Sequence, residues 1–195
     1  MLAAAAGLLL GLTLWGTRVP SPDTRAPKDI ASSVEITQRS GSVWVNGALI
    51  SEATHGLEAE ATHIITGEAS ELTLEDGDGD VVTLTSQSEV KVVDWRRSSR
   101  KIALRTGSVR AKVSHRGASE HFEVVTPNAR VVVVGTEFTV THSQANETVV
   151  RGDSGTVRVE RLNGTLIGFV RAGDVLHIAP ELAQANAKAA TTPEL

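Results

Sequence analysis

The sequence predicts an all-β protein, a β-roll or β-sandwich of about 14 short, mainly antiparallel strands, preceded by one N-terminal hydrophobic helix. Three observations carry that prediction. The 195 residues include 24 Val and 20 Thr, β-branched side chains that suit a pleated surface better than a helix. From Ser33 onward apolar and polar residues alternate in short runs. Those runs are bounded by Gly, Asn-Gly, Asp-Gly or Pro, the residues that turn a chain. With 3% aromatic residues, the core must be aliphatic.

The chain opens on Leu2 to Thr17, sixteen residues without a charge, ending at Arg18. That is short of the roughly 20 residues of a spanning helix and longer than the roughly 7 to 15 of a signal-peptide core. Trp15 suits the headgroup region and no small-x-small cleavage site follows, so an uncleaved membrane anchor over 1–18 is preferred to a signal segment. Basic residues that usually precede such a run are missing, so either the natural start is expected upstream or an inner-side segment is absent. Pro20, Pro22 and Pro27 make 19–32 a tether, residues 33–180 the β domain, and 181–195 an Ala-rich tail.

Within the domain, strands are expected near 34–38, 42–46, 62–66, 80–85, 89–94, 101–105, 107–114, 120–126, 130–134, 136–142, 147–151, 155–161, 165–171 and 174–178. Leu72 and Leu74 share a face and answer Val82 and Leu84 across the turn Asp76-Gly77-Asp78-Gly79, a hairpin with one wet face. Asn46-Gly47 and Asn163-Gly164 read as two-residue turns with both positions left-handed. A weak repeat, Ser40-Gly41-Ser42-Val43, Thr106-Gly107-Ser108-Val109 and Ser154-Gly155-Thr156-Val157, places a bend at glycine and a core valine two residues on. Its unequal intervals exclude a strict solenoid and suggest similarly turned layers.

Charge is segregated. Residues 52 to 89 hold ten Asp or Glu and no Lys or Arg, whereas 91 to 116 hold nine Lys or Arg against Asp94 alone. The plain reading pairs these blocks across neighbouring strands. The alternative reads Trp95, Arg96, Arg97, Arg100 and Lys101 as an exposed hairpin tip that contacts a partner. Net charge of -4 and export argue against nucleic acid.

Catalysis is not expected. Gly152-Asp153-Ser154-Gly155 resembles a trypsin-type nucleophile loop, and His63, Asp94 and Ser154 follow the trypsin-like chain order. Thr156, however, stands where that loop needs a glycine for its oxyanion hole, and Ser154-Gly155 is already one copy of the turn repeat. Asp76-Gly77-Asp78-Gly79-Asp80 offers three carboxylates to a hard cation, but Val81 and Gln87 occupy the positions where an EF-hand requires Gly and Glu, so an acidic turn is preferred. The absence of cysteine removes thiolate chemistry, the six histidines lack paired spacing, and no phosphate-cradling loop is present. No cofactor, metal or small-molecule substrate is inferred.

One stretch, Phe122-Glu123-Val124-Val125-Thr126-Pro127-Asn128-Ala129-Arg130-Val131-Val132-Val133-Val134-Gly135-Thr136-Glu137-Phe138-Thr139-Val140, resembles the F-x-V-x-T-P-x-A-x-V-x-V-x-G-T-x-F-x-V signature of the FecR family, the envelope-side sensor domain of bacterial sigma-factor regulators. Ile65-Thr66-Gly67, Leu72 to Gly77 and Leu104 to Val109 are similar to further family motifs. Read physically, Phe122 and Val124 share a face, Thr126-Pro127 ends a strand, and Gly135 permits a bulge or sharp bend. Phe138 can then pack inward again, while Thr136 and Glu137 stand at the bend. These motif residues are expected to be architectural.

The resemblance implies a single-pass protein of the bacterial cytoplasmic membrane whose β domain faces the periplasm. It would act through contacts with a protein partner in the envelope, a signalling receptor or membrane regulator, and would regulate an extracytoplasmic-function sigma factor. The competing reading is an envelope scaffold built on the same fold, without regulatory output.

Overall fold

The computed structural model describes residues 34–180 apart from 52, 59–61, 97, 116, 118 and 119. The expected anchor 1–18, the tether 19–32 and the tail 181–195 lie outside the described residues. No helix among the described residues is long and apolar enough to cross a membrane.

The described residues are all-β. One layer contains, in spatial order, β3 (Ala48–Leu49), β2 (Val43–Val45), β5 (His63–Thr66), β8 (Glu89–Arg96), β9 (Ser99–Lys112), β10 (His121–Val125), β11 (Arg130–Val133), β14 (Thr156–Glu160) and β15 (Leu166–Arg171). We call it the upper layer. The lower layer runs β4 (Gly56–Leu57), β1 (Val34–Ser40), β6 (Glu71–Asp76), β7 (Val81–Leu84), β9, β12 (Glu137–His142), β13 (Thr148–Ser154) and β16 (Val175–Ile178). Strand β9 belongs to both: its first half lies between β8 and β10, its second half between β7 and β12. A single sixteen-stranded sheet is thereby folded into two facing layers. Among the described strand pairs only β9–β10 is parallel, so the sheet is mixed.

Gly107 is the reason one strand serves two layers. The alternation predicts two strands here, 101–105 and 107–114, with the glycine as a bend between them. Instead, Gly107 takes φ +92 inside a continuous fourteen-residue strand. Gly41 (φ +67) and Gly155 (φ +69) do the equivalent where β1 passes to β2 and β13 to β14, each a crossing between layers. The valines that follow, Val43, Val109 and Val157, are fully buried. The weak sequence repeat therefore marks three corners of the fold.

Other turns match the residues less uniformly. Asn46 (φ 50) and Gly47 (φ 82) form the expected tight turn between β2 and β3, a strand too short to register as alternation. At Asn163-Gly164 only Gly164 is left-handed (φ 85), and the Asn163 side chain instead accepts from the Thr165 amide. Arg161 N–H closes the loop on Thr165 O at 2.8 Å, which makes a three-residue connection in place of the expected two.

The core is aliphatic with one aromatic seam. Trp95 and Phe122 from the upper layer meet edge-to-face at 6.0 Å, and Phe122 meets Phe138 of the lower layer at 6.3 Å. Such pairs add about 0.5 to 1.5 kcal/mol beyond area burial, and here they tie the two layers together.

Candidate functional site

Trp95 and Arg100 face each other across the β8–β9 hairpin, and each is only 1% exposed. This corrects the expectation of an exposed tip for these two residues. A bulge between Val92 and Asp94 shifts the alternation by one, so Val93 stays outward but Trp95 is turned inward. Arg100 shares its inward face with Ile102 and Leu104, which are equally buried. Of the remaining tip residues, Arg96 pairs with Asp94 and Lys101 with Glu123, while Arg97 lies outside the described residues. The doubly hydrogen-bonded Arg96 guanidinium lowers the Asp94 pKa below its ordinary value.

A guanidinium sealed from water needs counter-charge, and the acidic turn supplies it. Arg100 Nε donates to Asp76 Oδ2 at 2.6 Å, Nη2 to Asp78 Oδ2 at 2.5 Å, and Asp80 Oδ2 lies 3.3 Å from Nε. The Trp95 ring centroid lies 5.9 Å from the guanidinium carbon. The other oxygen of Asp76 accepts from the amides of Asp78 and Asp80, and Asp80 Oδ1 accepts from Ser114 N. The three carboxylates that resembled a cation site thus hold an arginine of the same chain. Among the described residues no cluster of His, Asp and Glu has the arrangement to hold a metal ion.

The three protease-like residues are engaged separately. His63 Nε2 lies 3.1 Å from Glu89 Oε1, Asp94 accepts from Arg96, and Ser154 Oγ accepts from the Glu137 amide at 3.0 Å. Ser154 serves the β12–β13 junction, where the register shifts between Glu137 and Phe138.

The signature stretch runs through β10, β11 and β12. Phe122, Val124, Val131, Val133, Phe138 and Val140 are buried, as the alternation predicts. Thr126 holds the turn after β10 by accepting from Ala129 N, and it joins Thr148, Asn128 and His142 in a polar cluster. Pro127 lies in that turn, beyond the end of β10. Gly135 does not have a left-handed φ. Its place is steric: a Cβ there would stand 2.7 Å from the backbone Cα of His115. Glu137 stays partly solvated and accepts from Arg110 at 2.6 Å.

Above this stretch the outer face of the upper layer carries a groove of about 550 Å³. Val132, Val134 and Thr136 contribute to its lining, with Arg130, Arg158 and Phe169. Phe169 is paired in register with Arg158 and is 52% exposed, the one described phenylalanine outside the core. Among the described residues its strand, β15, pairs with β14 alone and ends the layer, and Leu166 on the same strand is 51% exposed. Sequence reasoning missed Arg130, Arg158 and Phe169 as a group because they come from three strands. The available signal was Phe169 on the wet side of a strand whose next residue, Val170, is buried.

Residues 62–165, just over half of the chain, match the family model described as FecR protein. The fold is similar to two crystal structures of a candidate anti-sigma factor from Parabacteroides distasonis, each 19% identical with a TM-score of 0.49. The alignments cover 64% and 65% of this chain and 62% and 64% of the other, less than two thirds of those proteins. No curated protein matches the sequence.

Proposed function

The chain belongs to the FecR protein family, and on that premise we propose that it is a non-enzymatic signalling module of the bacterial cell envelope. In this reading the apolar segment 1–18 anchors it by a single pass in the cytoplasmic membrane, and the β domain faces the periplasm. Contacts with an envelope protein, a signalling receptor or membrane regulator, then tune an extracytoplasmic-function sigma factor.

One observation carries the contact mechanism. The edge strand β15 leaves Leu166 and Phe169 more than half exposed beside the groove, on a layer whose Trp95 and Phe122 are buried. An apolar edge left open in a water-soluble layer favours association with another protein. The separate engagement of His63, Asp94 and Ser154 supports a module that acts by contact.

The test is genetic. Deleting the gene, or replacing Phe169 by Ser in the chromosomal copy, should shift transcripts from the promoters of one extracytoplasmic-function sigma factor. Unchanged transcripts together with a weakened envelope would overturn regulation in favour of a scaffold. An alkaline phosphatase fusion after residue 180 should be active, and an inactive fusion would refute the periplasmic placement.

A further inference from the structure

We propose that the groove on the outer face of the upper layer receives an extended acidic segment of a partner protein, with a carboxylate gripped by Arg130 and Arg158 and apolar side chains against Phe169, Val132 and Val134. The inference rests on the reading of the chain as a protein-contact module and adds the chemistry of what is contacted.

The first argument is an unspent donor. Thr136 is 6% exposed, lines the groove, and its hydroxyl has no hydrogen-bond partner among the described residues. Buried hydroxyls are nearly always bonded, and a peptide carbonyl or carboxylate in the groove would complete this one. Its position is held from behind, because the Gly155 corner passes so close that a Cβ there would stand 2.7 Å from Thr136 Cγ2.

The second is the order of charge. Arg130 lies directly across from Glu160 and diagonal to Arg158 on neighbouring strands, a diagonal of about 7 to 8 Å that long side chains span. Arg130 Nε stands 3.0 Å from Glu123 Oε1, yet neither atom has a hydrogen bond among the described residues, so the pair is electrostatic. Lys101 shares Glu123 at 3.2 Å, and Arg158 lies 3.3 Å from Glu160. The carboxylate side chains are 9% and 12% exposed, whereas Lys101, Arg130 and Arg158 are 32%, 37% and 51% exposed. Three cations therefore stand above two sunken carboxylates, and the face offered to a partner is cationic.

The third is the apolar content. Val134 is 39% and Phe169 52% exposed at the groove, contacts that a side chain of a peptide uses and that a phosphodiester backbone does not.

The experiment uses the full chain in detergent and a short fluorescent peptide alternating glutamate and valine, with a lysine–valine peptide and an oligothymidylate as comparisons. The acidic peptide should bind about tenfold more tightly than the lysine peptide, and Arg158→Glu should weaken it about tenfold. Thr136→Val, which removes only the unpartnered hydroxyl, should weaken binding about fivefold and leave the melting temperature unchanged. Equal binding of the two peptides, equal binding of the oligothymidylate, or indifference to both substitutions would overturn the proposal. Binding that appears only when residues 181–195 are removed would overturn it too, by assigning the groove to the chain's own tail. Peptide binding without any transcript response would sink the regulatory reading and leave the groove standing, whereas the reverse result would sink the groove alone.

Discussion

Arg100 and Asp76 meet inside the protein: Arg100 Nε donates to Asp76 Oδ2 at 2.6 Å, with the two side chains 1% and 0% exposed. One residue comes from the upper layer and the other from the end of β6 in the lower layer, so the pair spans the sandwich. Removing one partner of such a cluster leaves uncompensated charge in a dry site. Arg100→Met should therefore destabilise the domain by about 3 to 5 kcal/mol, because three carboxylates lose their common cation. Chemical denaturation of the two proteins at neutral pH measures it, and a loss below about 1 kcal/mol would show that water already reaches the cluster.

The corner at Gly107 gives a prediction with an internal control. Gly107→Ala combines φ +92 with a Cβ only 2.4 Å from the Ser88 backbone, whereas Gly47→Ala meets the same left-handed strain (φ +82) in open space. The first should cost more than about 3 kcal/mol and the second about 1 kcal/mol. Equal costs would mean that conformation alone, without the Ser88 contact, sets the requirement for glycine.

Gly135 should respond to steric relief differently from a turn glycine. Gly135→Ala should destabilise by about 1 to 3 kcal/mol through overpacking against His115. Truncating His115 to Ala in the same protein should restore little of this, since the nearest atom is the backbone Cα at 2.7 Å and the imidazole nitrogen is further, at 2.9 Å. Full rescue in a double-mutant cycle would place the conflict on the ring instead.

His142 makes stability depend on pH. The ring is buried, and loss of hydration holds its pKa below the ordinary value of 6.5, partly countered by a hydrogen bond with Asn146. The unfolded chain thus takes up this proton first as pH falls. The contribution is complete above about pH 6.5 and is lost progressively as pH drops from there through the lowered folded value. Melting temperatures of the wild type and His142→Gln, compared across that range, should converge on the acid side. A constant difference at every pH would show that His142 does not titrate differently on unfolding.

Much of this protein was legible along the chain. The alternation in β6 and β7 put Leu72, Leu74, Val82 and Leu84 on one face, and the register pairs Leu72 with Leu84 and Leu74 with Val82. The Gly-x-Val repeat marked the layer crossings, because a left-handed corner and the buried residue after it are local requirements. The family signature was visible for the same reason, as a succession of core-facing side chains.

What the alternation could not carry was any phase change or meeting that depends on a distant strand. The bulge before Asp94 inverted the facing of Trp95, and the counter-charges of Arg100 arrive from a turn more than twenty residues earlier in the chain. A basic hairpin therefore looked like a wet tip when its central arginine was the core partner of the acidic turn. The groove of Arg130, Thr136, Arg158 and Phe169 exists only once β11, β14 and β15 lie side by side. Sequence periodicity determined which side chains share a face wherever a strand runs without a bulge. Tertiary structure decided which strands become neighbours and which charges lose their water, because those energies depend on what the folded chain brings into contact.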